Sequence, residues 1–305
     1  MTTGGPLALA MGRSSARVHD ADMVSVVPGS LTLDSLPALR RCATDGTLEL
    51  LYQPEYDLAT GQIVAMEGLL RWHHDELGML QPPAFLELAE ASGEIVSIGE
   101  WVLRAGIEEA LRWSLLPGPV RRLWLNVSPS QLAEPTFADH VASALQASGL
   151  PEGALGFEVP EGGVLGLGEA AGPVLRDLRR AGVAIAVDDF TSFYSTLGAI
   201  AALPFDTVKL GHRYVRGVGA GVGPDGEGDP LVAAVIDQAH ERGLTVVAEG
   251  VETWSEAARL IELGCDRAHG WLFASEQRAD KARWLLEHGK GWQPAASVPV
   301  PRVEG

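Results

Sequence analysis

The chain has 305 residues, enough for one large barrel-sized domain or two smaller ones, and its composition is that of an ordinary globular protein. Its 40 Asp and Glu against 23 Lys and Arg leave a formal charge of −17, which argues against sequence-independent binding to nucleic-acid polymers. A small phosphate ligand stays open, because a divalent cation inverts the local field.

No run approaches the roughly 18 apolar residues of a membrane-spanning helix, and Leu7 to Met11 is too short for a signal-peptide core. Cys42 and Cys265 lie outside any CxxC or Cys/His cluster. The expectation is a cytoplasmic protein with two free thiols and no membrane partner.

Residues 1–30 are Gly-, Ser-, Thr- and Ala-rich without a period and read as a flexible leader. Residues 31–290 read as one barrel domain, and 291–305, with Pro294, Pro299 and Pro301, as a disordered tail. Asp34-Ser35-Leu36-Pro37 opens a short helix, with Ser35 or Asp34 as its cap.

Two apolar runs, LELLYQP and IVAMEGLLRW, are joined by a turn at Ala59-Thr60-Gly61, short enough to make the pair antiparallel. Helical spacing follows from Pro82 to Ser92 and from Ile98 to Trp113. Six further runs then alternate with helix-like stretches: RLWLNVSP, ALGFEVPE, VAIAVDDF, DTVKL, LTVVAEGVE and RAHGWLF. About eight such units favour a closed (β/α)8 barrel of the TIM type over an open sheet. The Gly-rich stretch 217–228 reads as a surface loop.

Each run carries a metal- or phosphate-competent residue toward its end: Gln53, Glu67, Asn126, Glu158, Asp188-Asp189, Lys209, Glu249 and His269. An isolated carboxylate beside buried apolar residues costs several kcal/mol unless paired or metal-bound, so these ends are expected to converge on one mouth. Glu67, Asn126, Glu158 and Asp188 form a hard, oxygen-only ligand set suited to Mg²⁺ or Mn²⁺. Asp189 adds a second site bridged by Asp188, and two ions roughly 3.5–4 Å apart clamp a phosphodiester. Beside those carboxylates, Lys209 orients a water or a phosphate oxygen. His73-His74 is a poor metal pair, since neighbours on an extended segment point oppositely.

Taken together, Tyr52-Gln53-Pro54, Glu67-Gly68-Leu69-Leu70-Arg71-Trp72, Asn126-Val127-Ser128-Pro129, Glu158-x-x-Glu161, Asp188-Asp189-Phe190, Lys209 and Ala248-Glu249-Gly250-Val251-Glu252 resemble the EAL domain of bacterial cyclic-di-GMP phosphodiesterases. The resemblance spans roughly residues 35–290. It implies an α/β fold, a modified TIM (β/α)8 barrel with one antiparallel strand, and metal-dependent hydrolysis of cyclic di-GMP to linear pGpG. By the same resemblance Glu67, Asn126, Glu158, Asp188 and Asp189 hold two ions. Lys209, Glu249 and Glu67 serve catalysis, Gln53, Leu70 and Arg71 contact the dinucleotide, and Glu161 anchors the loop after Phe190. A homodimer is compatible with it.

The chain departs from the family pattern at four places. Thr191 to Leu197 lacks both glycines of the usual loop, Gly211 replaces an acid, His269 replaces a glutamine, and Pro160 replaces a threonine. The loop in the family couples the metal site to dimerisation. A catalytically impaired module, acting as a cyclic-di-GMP receptor or protein-interaction regulator, therefore stands as the alternative. Another acid-lined barrel enzyme of the enolase kind leaves the order of the motifs unexplained.

Overall fold

The computed structural model describes residues 31, 33–118, 121–190, 203–216, 218–219, 228–289 and 291–292. Eight strands close a barrel: β1 (Leu48–Asp57), β2 (Ile63–His74), β4 (Arg122–Asn126), β5 (Leu155–Pro160), β6 (Ala184–Phe190), β7 (Thr207–Leu210), β8 (Thr245–Ala248) and β9 (Arg267–Ala268). The circuit runs β1-β9-β8-β7-β6-β5-β4-β2 and closes through β1–β2. β1 is antiparallel to both neighbours, while all other barrel pairings are parallel. This is the modified TIM barrel expected from the sequence.

The reversal between β1 and β2 is local in origin. Asp57 Oδ1 accepts from both the backbone N–H and the hydroxyl of Thr60, and the Gly61 N–H returns to the Asp57 carbonyl. Gly61 has φ 70, and a Cβ there would lie 1.7 Å from the Trp292 carbonyl oxygen, so only glycine fits. That carbonyl belongs to a segment first read as tail. Trp292 is instead buried, stacked on Trp254 and edge-on to Phe273, so the packed domain reaches at least residue 292.

β2 is the longest strand, and Glu67 lies within it rather than at its end. The register pairs Gln53 with Glu67, and β2 continues past this point, held by the first half of β1 and by β3 (Gly78–Leu80). That extension carries a second apolar cluster, with Leu39, Cys42, Trp72, Leu80, Phe85 and Ile98 beneath the helices Leu36–Cys42, Leu86–Ser92 and Ile95–Ser114. Ser35 occupies the N-cap of the first of these, but its side chain makes no capping bond.

Side chains alternate across each strand, so the barrel interior is layered. At its centre Trp124 packs with Ala65, Ala184 and Ala186. A Cβ on Gly156 would lie 2.2 Å from the Trp124 ring, so one large side chain fills the space left by small neighbours. At the N-terminal end of the strands, Arg122 stacks over Trp124 and Arg267 donates to the buried Glu55. One alternation further along come Glu67, Asn126, Glu158, Asp188 and Lys209. The leader, the loop Thr191–Leu197, and the Gly-rich stretch apart from Val218, Gly219 and Gly228 lie outside the described residues.

Candidate functional site

Lys209 is the hub. Its side chain is 0% exposed, and its ammonium lies 3.4 Å from Glu67 Oε2, 3.2 Å from Glu249 Oε1 and in direct contact with Glu158 Oε1. His269 joins through Nε2, 3.1 Å from Glu249 Oε1 and 3.7 Å from Glu67 Oε2. Asn126 donates its amide to Glu67 Oε1 at 3.0 Å. The convergence therefore includes residues from β2, β4, β5, β7 and the turns after β8 and β9.

Local structure holds those turns. Ser128 and Gln131 form a reciprocal capping box just after Asn126, and Thr253 and Glu256 form another just after Glu249. The Glu249 N–H donates to the Leu210 carbonyl, and the His269 N–H to the Ala248 carbonyl. These bonds continue the ladder one residue past each short strand and aim both side chains across the mouth.

Three acids, Glu67, Glu158 and Glu249, share one buried ammonium, and the Asp188 carboxyl adds its charge nearby. Burial and the nearby Glu67 carboxylate push Glu158 well above the usual carboxylate range. Burial and Glu249 raise Asp188 to about 7. Burial also opposes ionisation of Glu67 and Glu249, but Lys209 and His269 outweigh it, holding Glu67 low and bringing Glu249 to about 2. Burial works against the charge on Lys209 too, yet Glu158, Glu67, Glu249 and Asp188 hold its pKa well above the lysine value. The negative charge exceeds what one lysine neutralises, so the cluster takes up protons or a cation.

The donor chemistry fits a divalent ion. Glu158 is 0% exposed, and apart from the Lys209 contact neither of its oxygens has a hydrogen-bond partner. Among the described residues one group of ligand atoms lies within 4.8 Å of one another: Glu67, Glu249 and His269. That set contains a nitrogen, whereas the sequence suggested oxygen alone. His269, expected to converge on the mouth with the other strand-end residues, lies inside the cluster.

Asp188 is partly buried and accepts the Asp189 N–H on Oδ1 at 2.7 Å. Asp189 is exposed in a left-handed backbone, φ 46. A Cβ on Gly211 would stand 2.2 Å from Asp189 Oδ1, so the missing side chain at 211 is what admits this carboxylate. Glu161 is buried at the start of the helix Glu161–Leu167; the loop it was expected to anchor lies outside the described residues.

Next to the cluster opens a cavity of about 470 Å³, lined by Glu67, Leu70, Arg71 and Asn126 and by apolar residues such as Pro82, Leu86 and Ile98. Gln53, paired with Glu67 across the β1–β2 ladder, is buried and donates to the Ala274 carbonyl. Arg71 donates to the Leu70 carbonyl at 2.8 Å and to Glu276 Oε1 at 3.1 Å. Glu276 was missed in the sequence, since it lies in an irregular stretch with no period to flag it. His73 pairs with Glu49, and His74 Nδ1 accepts from the Glu76 N–H, as structural side chains do.

Comparison with known proteins follows the same lines. Uncharacterized protein Rv1354c of Mycobacterium tuberculosis is 36% identical over 276 residues, covering 90% of this chain and 43% of the relative. Cyclic di-GMP phosphodiesterase NbdA of Pseudomonas aeruginosa is 35% identical over 267 residues, covering 87% of this chain and 33% of NbdA. The chain thus spans less than half the length of these two relatives. The PaMucR phosphodiesterase in its c-di-GMP complex superposes with a TM-score of 0.76 at 32% identity, covering 82% of this chain and 100% of that one. The family model of the EAL domain matches residues 37–276, and the chain belongs to the EAL domain family.

Proposed function

We propose that this chain hydrolyses cyclic di-GMP to linear pGpG with Mg²⁺ or Mn²⁺. The observation that carries the reading is the charge-imbalanced cluster of Glu67, Glu158 and Glu249 on the buried Lys209, with Asp188 nearby, opening onto a groove that contains Arg71. Similarity to NbdA and PaMucR supports the choice of cyclic dinucleotide.

Glu67, Asn126, Glu158 and Asp188 would hold the first ion, and Asp189 with Asp188 a second. Such ions, when bound, supply Lewis-acid stabilisation of the phosphodiester and acidify a water. Lys209 stays protonated and donates a hydrogen bond to the attacking oxygen, while Glu249 keeps the ammonium in place. Arg71 donates to the scissile or neighbouring phosphate, and Leu70 with the apolar wall excludes water beside a base. One P–O bond forms to the water oxygen and the P–O3′ bond breaks, leaving a 5′-phosphate and a 3′-hydroxyl whose proton comes from that water. The free, buried Cys42 and Cys265 suit a reducing cytoplasm.

Purified protein with cyclic di-GMP and Mn²⁺ is expected to yield pGpG, and Glu158→Gln or Asp189→Asn to lower turnover by about a hundredfold or more. Absence of product from the wild-type chain, under conditions where the dinucleotide binds, overturns the enzyme reading. That outcome leaves the receptor reading, which Gly211 in place of the family's acid favours.

A further inference from the structure

The segment after β9 sits on two of the three residues assigned to the dinucleotide, Gln53 and Arg71. Its Gln277 backbone forms a two-way bridge with Tyr52, N–H to carbonyl at 2.7 and 2.8 Å. Gln53 Nε2 donates to Ala274 O at 3.1 Å, and Arg71 Nη2 donates to Glu276 Oε1 at 3.1 Å. Two residues of one short segment, Ala274 and Glu276, thus engage the amide and the guanidinium together.

We propose that Glu276 is a resident carboxylate that occupies the phosphate-binding edge of Arg71 and sets the affinity of the groove for its ligand. The inference rests on the reading of Arg71 as a phosphate contact. Three features support an exchange of anions at this place. Arg71 is incompletely satisfied: Nη1 serves the Leu70 carbonyl, Nη2 serves Glu276, and Nε is buried with no hydrogen-bond partner. A phosphodiester presents two non-bridging oxygens that share one negative charge and can satisfy donors that the present pairing leaves empty. The exposures are also unequal, 5% for the Arg71 side chain and 17% for Glu276, so the carboxylate has the way out and the guanidinium stays. Finally, Arg71 lines the cavity, so an incoming anion reaches it from the side of the metal-competent cluster.

The ligand class is a phosphodiester anion, and Glu276 competes with it by charge. Removing that charge while keeping the shape should therefore strengthen binding rather than weaken it. The experiment is calorimetric titration of cyclic di-GMP into the full chain in EDTA, comparing wild type, Glu276→Gln, Arg71→Ala and the double variant. Glu276→Gln is expected to lower Kd by about tenfold. The gain is expected to vanish in the Arg71→Ala background, which a general loosening of the segment would not produce.

An unchanged or raised Kd in Glu276→Gln, or a gain that persists without Arg71, overturns the proposal while leaving the phosphodiesterase reading in place. Failure of both wild type and Glu276→Gln to bind overturns the proposal, while the phosphodiesterase reading is decided separately by the Mn²⁺ turnover assay. Should Glu276→Gln not fold, Glu276→Asp, its carboxylate drawn back by one methylene, is expected to give a smaller gain of the same sign, and no gain overturns the proposal.

Discussion

Asp188 carries the clearest pH signature of any residue in the cluster. Burial and Glu249 raise its folded pKa to about 7 from the ordinary aspartate value of 3.8. In the metal-free protein the folded state then holds a proton that the unfolded state has released across that window. Stability contributed by Asp188 is fully present below pH 4 and falls as pH rises toward 7, at up to roughly 1.4 kcal/mol per unit. Urea titrations in EDTA at a series of pH values check this, with Asp188→Asn expected to be flatter between pH 4 and 7 than wild type. A steeper or unchanged slope in the variant removes the electrostatic account of the cluster.

Lys209 was legible as a strand-end cation, and its partners were legible as a set. Its position between three carboxylates was not, because strand stagger around the barrel decides which ends meet. His269 shows the same limit from the other side. Its run marks a strand-end imidazole, yet a two-residue strand has no period to show that Nε2 meets Glu249 and Glu67.

At the scale of elements, alternation within strands was readable and relative height was not. All eight barrel strands follow the apolar runs, but Glu67 appeared to end its run when it lies in the middle of β2. The hairpin pairs residues Leu48–Leu51 with Leu69–Trp72 beyond it, and such pairing leaves no mark on the local pattern. β3, three residues long, is too short to show any period.

The layer beneath the site has a sharper dependence on one element. Gly156 on β5 leaves the room that the Trp124 ring fills, and Glu158 sits two residues further along the same face. Gly156→Ala forces its methyl into that ring at 2.2 Å, and a rigid indole flanked by strands yields little. The expected loss is about 1–3 kcal/mol of stability, read by denaturant melts. Turnover should drop with it, because Trp124 and Asn126 share β4. Gly156→Ala melting like wild type would show that the interior layer has slack.

Over the whole molecule, a charge of −17 and a buried knot of acids act in the same direction. Both make the metal-free fold work against its own field, and both are relieved by a bound divalent cation. A ligand that binds only the folded state stabilises it by RT ln(1 + [L]/Kd), about 2.7 kcal/mol at a hundred times Kd. For a domain of this size that corresponds to a rise in Tm on the order of 5–10 °C. Mn²⁺ should therefore raise the melting temperature of wild type, and EDTA should return it. Glu158→Gln should do the opposite in each condition. Without metal it removes a fully buried acid and melts no lower than wild type, and with Mn²⁺ it gains little, because its carboxylate is the one with an unshared oxygen. Equal Mn²⁺ shifts in the two proteins would place the ion elsewhere. A wild type indifferent to Mn²⁺ would mean that Lys209 alone balances the cluster.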